Sequence, residues 1–392
     1  MTESARDLLD PNQQSVGQYL ELLKRSRLLN ERDLLKRVVE VLAQFPQADS
    51  GQLGREFVRR NILTDWQDDK LQAGRFEGFF LGKYKLLGHL GGGGACLVYL
   101  GEHVVLGRRV AIKILRHKLV RESTYVERVL LEARATATLK HPNVVFAYDV
   151  GSVGDVHYFV MEFVQGIDLA ALVGRTGPLR YDQAVDYLIQ AASGLHHAHE
   201  HGLVHRDVKP ANLLLDSSGV LKVLDLGLAR IEEPGLTSMT LDNDEKLLGT
   251  VDYLAPEQAQ DSHDVDHRAD IYALGCTLYF LLTGQAPFAS GSAADRLIKH
   301  QFEDPRAICS LRPDAPPELA TICERMMAKL PADRYQSMED VIRILNLWLT
   351  AFTHEQASSD TQHGGGKPDT RILLRRDALD AIKPQGSKSP KQ

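Results

Sequence analysis

The chain has 392 residues, of which 43% are apolar and 25% are charged, and its formal net charge is −6. These proportions are typical of a globular protein, and the length suggests two or three domains. The acidic balance argues against a nucleic-acid-binding protein, because such proteins normally carry an excess of Lys and Arg.

The first 82 residues show the periodicity of helices. Apolar residues recur every three or four positions in Tyr19–Leu29, Leu34–Phe45 and Gln52–Leu63, which predicts three amphipathic helices. Thr64 is a candidate N-cap for a fourth helix. We therefore predict a small helical packing or interaction module over residues 1–82.

From Tyr84 the pattern changes to short segments that predict five strands. These segments are Tyr84–Gly91, Cys96–His103, Arg108–Leu115, Val145–Ser152 and Val156–Val164. A helical pattern, Tyr125–Leu139, interrupts them, and from Gly166 to about Phe352 the sequence is mainly helical. This order predicts an α+β domain over residues 83–350. A small sheet-bearing lobe (about 83–161) is followed by a larger helical lobe (about 165–350).

The last segment, residues 351–392, is polar and contains Gly and Pro, so we expect it to be disordered. Within it, Arg371–Ile382 is either a short amphipathic docking helix or a nascent helix without a partner.

Membrane insertion and secretion are not indicated. The longest uncharged apolar run, Ile271–Gly284, is too short to span a bilayer, and the N-terminus lacks the apolar region of a signal peptide. The cysteines form no C-x-x-C pair; they are Cys96, Cys276, Cys309 and Cys323. We therefore expect a cytoplasmic protein without a membrane span.

Four consecutive glycines, Gly91–Gly94, lie between the first two predicted strands. Glycine occurs wherever the backbone must adopt a positive φ, so the run alone fits either a phosphate-binding loop or a slack turn. Lys113 lies on the third predicted strand, from which an ammonium can reach the phosphates of a nucleotide under the loop. Glu132, on the predicted helix, would hold that ammonium, whereas an isolated Lys–Glu pair at a surface contributes little.

The segment Val204–Leu214 has the sequence VHRDVKPANLL. Here the chain resembles the eukaryotic-type protein kinase family, and the resemblance covers roughly Tyr84–Leu349. It implies that Asp207 accepts or orients the proton of the substrate hydroxyl and that Asn212 binds a metal ion. Lys209 matches the lysine that serine/threonine kinases place against the γ-phosphate, which favours Ser or Thr as the acceptor.

Further motifs follow in the order expected of this family. Asp225, in the motif DLG, resembles the aspartate of Asp-Phe-Gly and would be the second ligand of Mg²⁺, which prefers oxygen ligands. Glu257, in the motif APE, would pair with Arg334, and Asp270 would lie on the buried helix that anchors the catalytic loop. The resemblance therefore implies the bilobal kinase fold, with a five-stranded antiparallel sheet and one helix in the small lobe.

The resemblance also implies a nucleotide site. The family's glycine pattern falls on Gly91, Gly93 and Cys96, so that a cysteine replaces the third glycine. Cys96 is then either a tolerated substitution or a reactive thiol near Lys113. The residues expected to contact ATP are Leu90, Gly91, Gly92, Gly93, Gly94, Val98, Ala111, Lys113, Met161, Glu162, Val164 and Leu214.

Regulation by phosphorylation is implied as well. Arg206 directly precedes Asp207, the arrangement in which kinases use an arginine to bind a phosphorylated residue of the activation loop. Thr250, in GTVDY, resembles the threonine that contacts the catalytic residues. The candidate phosphorylation sites are Thr237, Ser238 and Thr240.

Five histidines between His196 and His205 are compatible with a metal site, but no set of thiolate ligands accompanies them. We interpret them as surface histidines at the end of a helix.

The sequence thus predicts a serine/threonine protein kinase of the bacterial eukaryotic-like type, acting in cytoplasmic signalling. It would transfer the γ-phosphate of ATP, with Mg²⁺ or Mn²⁺, to protein substrates, and would self-associate to phosphorylate itself. We expect no nucleic-acid partner. Two alternatives remain: a pseudokinase scaffold that binds partners without catalysis, and a small-molecule phosphotransferase of related fold. The segment GTVDYLAPEQ favours a protein substrate.

Overall fold

The computed structural model describes residues 15–92, 96–115, 136–226, 249, 251–260 and 265–361. The backbone divides into two compact units. The first comprises Met1–Arg121 with Asp149–Phe163, and the second comprises Glu122–Tyr148 with Val164–Gln392. Most of the predicted helix Tyr125–Leu139 lies outside the described residues, as does the predicted tail from residue 362 onward.

Four helices open the first unit. They are α1 (Val16–Ser26), α2 (Glu31–Gln44), α3 (Ser50–Arg59) and α4 (Asp65–Gln72). Each follows a side chain that accepts a hydrogen bond from a backbone N–H of the first turn; these side chains are Ser15, Asn30, Asp49 and Thr64. The three predicted helices and the predicted Thr64 cap are therefore confirmed.

The four helices share one apolar core. It includes Leu23, Val41, Phe57 and Leu71, one from each helix. In this core the Tyr19 hydroxyl donates a hydrogen bond of 2.7 Å to Asp68. Burial raises the pKa of Asp68 above its ordinary value, although this hydrogen bond opposes the shift. Apolar packing and this buried hydrogen bond thus hold the helices together.

A six-stranded sheet completes the first unit. Its strands are β1 (Phe80–Leu81), β2 (Tyr84–Gly92), β3 (Cys96–His103), β4 (Arg109–Leu115), β5 (Ala147–Val153) and β6 (Val156–Glu162). Their order is β1-β2-β3-β4-β6-β5, and the pairs from β1 to β4 and between β4 and β6 are antiparallel. The five predicted strands are confirmed as β2 to β6. The structure adds β1, whose two residues are too few to show an alternating pattern in the sequence.

The described part of the second unit is mainly helical, with a small antiparallel sheet formed by β7 (Gly166–Asp168), β8 (Leu213–Asp216) and β9 (Leu221–Val223). The helices are α5 (Leu169–Thr176), α6 (Tyr181–Glu200), α7 (Pro256–Gln260), α8 (Arg268–Thr283), α9 (Ala293–Phe302), α10 (Ile308–Leu311), α11 (Pro317–Met326) and α12 (Met338–Thr361). Helix α12 continues past residue 351, where the tail was predicted to begin.

Helix α8 is the centre of the second unit. It is buried along almost its whole length and shares a core with α6. The apolar run that begins at Ile271 therefore lies in a core helix, which Gly284 caps. No helix among the described residues combines the length and apolar character needed to cross a bilayer.

His300, near the end of α9, is enclosed by aromatic side chains. Its Nδ1 lies 2.8 Å from the Tyr272 hydroxyl, and its ring packs edge-on against Phe288. Burial, together with the nearby Lys329 ammonium, lowers the pKa of His300 to about 3. The folded chain therefore keeps this ring neutral at pH values where an unfolded chain binds a proton.

Acidification should consequently destabilise the fold through His300. As the pH falls below the ordinary histidine pKa of about 6.5, the proton binds only the unfolded state, and stability is lost. This single group accounts for about 2 kcal/mol between pH 7 and pH 5. We expect His300→Gln to flatten the pH dependence of urea unfolding over this range, and His354→Gln, at an exposed position, to leave it unchanged. Equal slopes for wild-type and His300→Gln protein would contradict the prediction.

Candidate active site

The register of the first unit's sheet places predicted nucleotide-site residues on one face. Gly91 lies opposite Val98 on the neighbouring strand, and Val98 lies opposite Lys113. Directly opposite residues share a face of an antiparallel sheet, as do residues two positions apart on a strand. Ala111 is therefore on the same face as Lys113, and Met161 joins it as the cross-strand partner of Ala111.

Strand β2 ends in Gly91 and Gly92, and we call it the glycine strand. It leaves little space at Gly92. A Cβ atom on Gly92 would lie 2.6 Å from the Cys96 carbonyl oxygen, so a side chain there requires the backbone to move. Leu90 is 48% exposed, as expected of a residue available to a ligand. Gly93 and Gly94 lie outside the described residues.

Lys113 is buried, with 6% of its surface exposed. A buried ammonium is stable only with charged or hydrogen-bonding partners. The predicted partner, Glu132, lies outside the described residues. Glu162 is the last residue of β6. Val164 lies two residues further along the chain, where the second unit resumes.

In the second unit, two donors converge on the carboxylate of Asp207. The Lys209 ammonium lies 2.8 Å from Asp207 Oδ2, and the Asn212 side-chain amide donates to the same oxygen at 3.0 Å. Asn212 also donates to the Asp207 backbone carbonyl at 2.8 Å. A carboxylate held in this way is oriented to accept a further hydrogen bond from a hydroxyl. The three predicted catalytic-loop residues thus lie together.

Asp270, on α8, anchors this loop. Its buried carboxylate accepts hydrogen bonds from the backbone N–H groups of His205 (2.8 Å) and Arg206 (2.7 Å), and from His199 Nε2 at 2.8 Å. Burial alone would raise the pKa of Asp270, but the hydrogen bonds from His199 and from the His205 backbone N–H lower it below the ordinary value. The predicted anchoring role of Asp270 agrees with these contacts.

His199 is a residue that the sequence interpretation missed. It was interpreted as a surface histidine, but its side chain is largely buried and bonds to Asp270. His197 likewise stacks on His141, with ring centroids 5.2 Å apart. Among the described residues, no group of three or more His, Cys, Asp or Glu side chains could hold a metal ion. The only signal for His199 in the sequence was its position one helical turn before the loop.

Two residues of the site have backbone conformations that side chains disfavour. Arg206 has φ = 65° and Asp225 has φ = 56°. A non-glycine residue with such a positive φ destabilises the folded state by about 1 kcal/mol or more, and residues of this kind occur preferentially at functional sites. Leu226, beside Asp225, is buried in the core. Leu214 lies on β8, opposite Lys222.

Asn212 and Asp225 have the chemistry of a Mg²⁺ site. Both carry side-chain oxygens, and the backbone N–H of Leu224 donates to the Asn212 carbonyl at 2.9 Å, which ties the two segments together. Mg²⁺ is usually bound by one or two protein oxygens together with phosphates and water. The residues present therefore fit such an ion.

The predicted pair of Glu257 and Arg334 is confirmed. The fully buried Arg334 guanidinium makes two bonds to the Glu257 carboxylate, at 2.6 and 2.8 Å. Its remaining donors reach backbone carbonyls, those of Ala328, Arg268 and Lys329. Every charge-bearing donor is thus satisfied, as a buried ion requires.

The predicted regulatory residues are only partly described. The Arg206 side chain donates a long hydrogen bond, 3.4 Å, to the Val265 carbonyl. The predicted phosphorylation sites Thr237, Ser238 and Thr240, and the predicted contact residue Thr250, lie outside the described residues.

Comparison with known proteins identifies clear relatives. Residues 84–344 match the family described as "Protein kinase domain". The serine/threonine-protein kinase PrkC of Bacillus subtilis is 41% identical over 261 residues, which are 66% of this chain and 39% of PrkC. PknB of Mycolicibacterium smegmatis is 38% identical over 67% of this chain and 43% of PknB. The chain therefore spans about two fifths of the length of these curated relatives.

A solved structure agrees with this comparison. The crystal structure of the Mycobacterium tuberculosis PknI kinase domain matches with a TM-score of 0.55 and 27% identity. The match covers 69% of this chain and 97% of that one.

The structure changes the expectation for the cysteines. Cys96 is buried at the start of β3, and Cys276 and Cys323 are buried in the second unit, where burial raises the pKa of both thiols. Cys309 is exposed. The hypothesis of a readily reactive Cys96 therefore loses its basis in accessibility.

We expect a maleimide reagent to modify Cys309 first in the native chain, at least about tenfold faster than the other thiols, because it reacts only with accessible thiolates. Peptide mass spectrometry after brief labelling measures the order. Cys309→Ser should remove the fast phase, and denatured protein should label all four cysteines equally. Faster labelling of Cys96 than of Cys309 would restore the reactive-thiol hypothesis.

Proposed function

The chain belongs to the protein kinase family, and on this basis we propose that it is a serine/threonine protein kinase. It has the kinase fold, with a curled sheet in one lobe and a mainly helical second lobe. The proposal depends above all on Asp207, which is flanked by Lys209 and Asn212 in a loop anchored on Asp270.

The catalytic-loop residues would perform the transfer. Asp207 orients the hydroxyl of the substrate and accepts its proton as the oxygen attacks the γ-phosphorus, while the bond from that phosphorus to the β-phosphate oxygen breaks and ADP leaves. Lys209, already 2.8 Å from Asp207, neutralises charge on the phosphoryl group. When bound, Mg²⁺ supplies positive charge to the β- and γ-phosphates. The side-chain oxygens of Asn212 and Asp225 are suited to hold it.

The resemblance to protein kinases implies which residues would bind the nucleotide. Lys113 pairs with the α- and β-phosphates, with Glu132 as its partner, and the glycine strand approaches the phosphates through its backbone N–H groups. Glu162 and Val164 offer backbone groups to the edge of the base. The apolar contacts to the adenine come from Leu90, Val98, Ala111, Met161 and Leu214.

The acceptor is a Ser or Thr hydroxyl of a protein. Lys209 supports this preference, and the APE segment, held by the Glu257–Arg334 pair, supports a protein substrate. We further propose that the chain associates with a second copy to phosphorylate itself. The division into a helical module (1–82), a kinase domain (83–350) and a tail (351–392) remains part of the proposal, as does action in the cytoplasm.

Purified wild-type chain should incorporate phosphate from ATP into itself or into a generic Ser/Thr substrate in the presence of Mg²⁺ or Mn²⁺. Asp207→Asn should lower kcat by about a hundredfold or more, because it removes the proton acceptor. Lys113→Met should abolish phosphorylation, because it removes the ammonium that pairs with the phosphates. Both variants should unfold at the wild-type urea concentration. Radiolabel transfer measures activity, and acid-stable phosphoserine or phosphothreonine identifies the acceptor.

Two results would favour the alternatives. Nucleotide binding by wild-type chain without any phosphate transfer would support a pseudokinase. Transfer to hydroxyl-bearing small molecules, with none to protein, would support a small-molecule phosphotransferase.

Phosphorylation of the activation loop should accompany activity. A phosphate adds a charge of about −1.5 to −2, which can pair with Arg206. We expect mass spectrometry of active chain to find phosphate on Thr237, Ser238 or Thr240, and the triple Ala variant to lose activity at least about fivefold through the lost charge pair. Arg206→Gln should reproduce that loss. Active protein without phosphate at any of the three sites would contradict this control mechanism.

A further inference from the structure

The first turn of α4 contacts the strand that carries the glycines. The Thr64 hydroxyl donates to the Leu87 carbonyl at 2.5 Å, and the Gln67 amide Nε2 donates to the Leu86 carbonyl at 2.7 Å. Gln67 is only 2% exposed. The helical module thus makes two consecutive hydrogen bonds to the backbone of β2.

The same two side chains also cap α4. Thr64 Oγ1 accepts from the Gln67 backbone N–H at 3.2 Å, and Gln67 Oε1 accepts from the Thr64 N–H at 3.1 Å. This reciprocal arrangement is a capping box. Each side chain therefore fixes the helix end with one hydrogen-bonding function and the sheet with another, which makes their positions mutually dependent.

The contacted carbonyls lie where β2 becomes an edge strand. The register of β1 with β2 ends at Lys85, and the last backbone hydrogen bond on this side runs from the Leu86 backbone N–H to the Phe79 carbonyl at 2.8 Å. Beyond Leu86 the described neighbour of β2 is β3. The pairing with β3 shifts between Leu86 and Gly88, which identifies a β-bulge at Leu87. A bulge leaves its extra residue unpaired in the ladder and re-aims the strand. Thr64 and Gln67 supply the donors that the ladder lacks at this point.

An aromatic contact chain reinforces the attachment. Trp66 of α4 packs edge-on against Tyr99 of β3, with centroids 5.7 Å apart, and Tyr99 packs against His89 of β2 at 5.3 Å. His89 is two residues before Gly91, and a second register shift lies between them. Polar and aromatic contacts from the first turn of α4 therefore extend along β2 as far as His89, close to the glycines.

We propose that the first turn of α4 positions the glycine strand for nucleotide binding, with Thr64 and Gln67 as positioning residues; this rests on the proposed function above. Glycines have the largest backbone freedom, so ordering them on binding costs the most entropy. Anchoring Leu86 and Leu87 restrains the strand before ATP arrives and lowers that cost. We expect the effect in nucleotide affinity, because both side chains bond to the strand that leads to the glycines.

Gln67→Glu in the full-length chain separates docking from capping. Glutamate serves a capping box as well as glutamine does, but its carboxylate has no hydrogen to donate to the Leu86 carbonyl. Gln18→Glu is the matched control, because Gln18 forms the same capping box with Ser15 at the start of α1, at an exposed position. A buried carboxylate can itself disturb folding, so a second pair of variants tests the contact without one. Thr64→Val loses the hydroxyl, and Thr64→Ser retains it.

Two measurements decide the proposal. Hydrogen–deuterium exchange of Leu86–Gly92 without nucleotide reports the restraint on the strand, and initial rates give KM for MgATP and kcat. We expect Gln67→Glu and Thr64→Val to speed exchange and to raise KM about threefold to tenfold, the effect of one lost hydrogen bond, with kcat within about twofold. Gln18→Glu and Thr64→Ser should behave as wild type.

Faster exchange with an unchanged KM would overturn the proposal and leave α4 as a packing element. A fall in kcat with unchanged KM would overturn it too, as would unchanged exchange in both Gln67→Glu and Thr64→Val. Failure of the proposed function looks different, because the wild-type chain would then transfer no phosphate and would give no KM. If calorimetry shows that such a chain still binds MgATP, its dissociation constant in the same variants replaces KM in this test. If it binds no MgATP, the positioning proposal is overturned, whatever the exchange of Leu86–Gly92 shows about the α4 contact.

Discussion

The buried carboxylate of Asp270 determines the conformation of the loop on which the second unit's catalytic residues lie. It accepts hydrogen bonds from two successive backbone N–H groups, those of His205 and Arg206, and from the His199 side chain. An unpaired charge at this depth would cost several kcal/mol, whereas a fully hydrogen-bonded one resists displacement. The loop therefore keeps Arg206 at a positive φ, and this backbone conformation sets the position of the adjoining Asp207.

The sheet of the first unit serves two purposes through one register. The alignment that places Val98 and Lys113 on one face sends Tyr99 and Ile112 to the other, where they pack in a core that Trp66 joins. A shift of one residue would exchange the two faces of a strand. Packing of the helical module and placement of the nucleotide-site residues are therefore a single structural constraint, and mutations in one should be felt in the other.

How much the sequence predicts depends on how local the signal is. The helices of the module follow from apolar periodicity and caps, and the spacing of Asp207, Lys209 and Asn212 within one short loop already indicates their cluster. Two features escaped because their signals are tertiary. In the sequence His199 cannot be distinguished from its histidine neighbours; only the fold, in which α8 places Asp270 beside it, reveals its role. The strand β1 exists only because Phe80 and Leu81 meet the start of β2.

The α4 contact shows why this limit is physical. Among the described helices, two reciprocal caps use a glutamine, Ser15–Gln18 and Thr64–Gln67. A cap uses only the oxygen of the glutamine side chain, so each amide keeps a donor that local structure does not require. At Gln18 that donor faces an exposed surface, whereas at Gln67 it meets the Leu86 carbonyl. The position of β2, which no local sequence pattern indicates, determines whether a capping glutamine also bonds to the sheet.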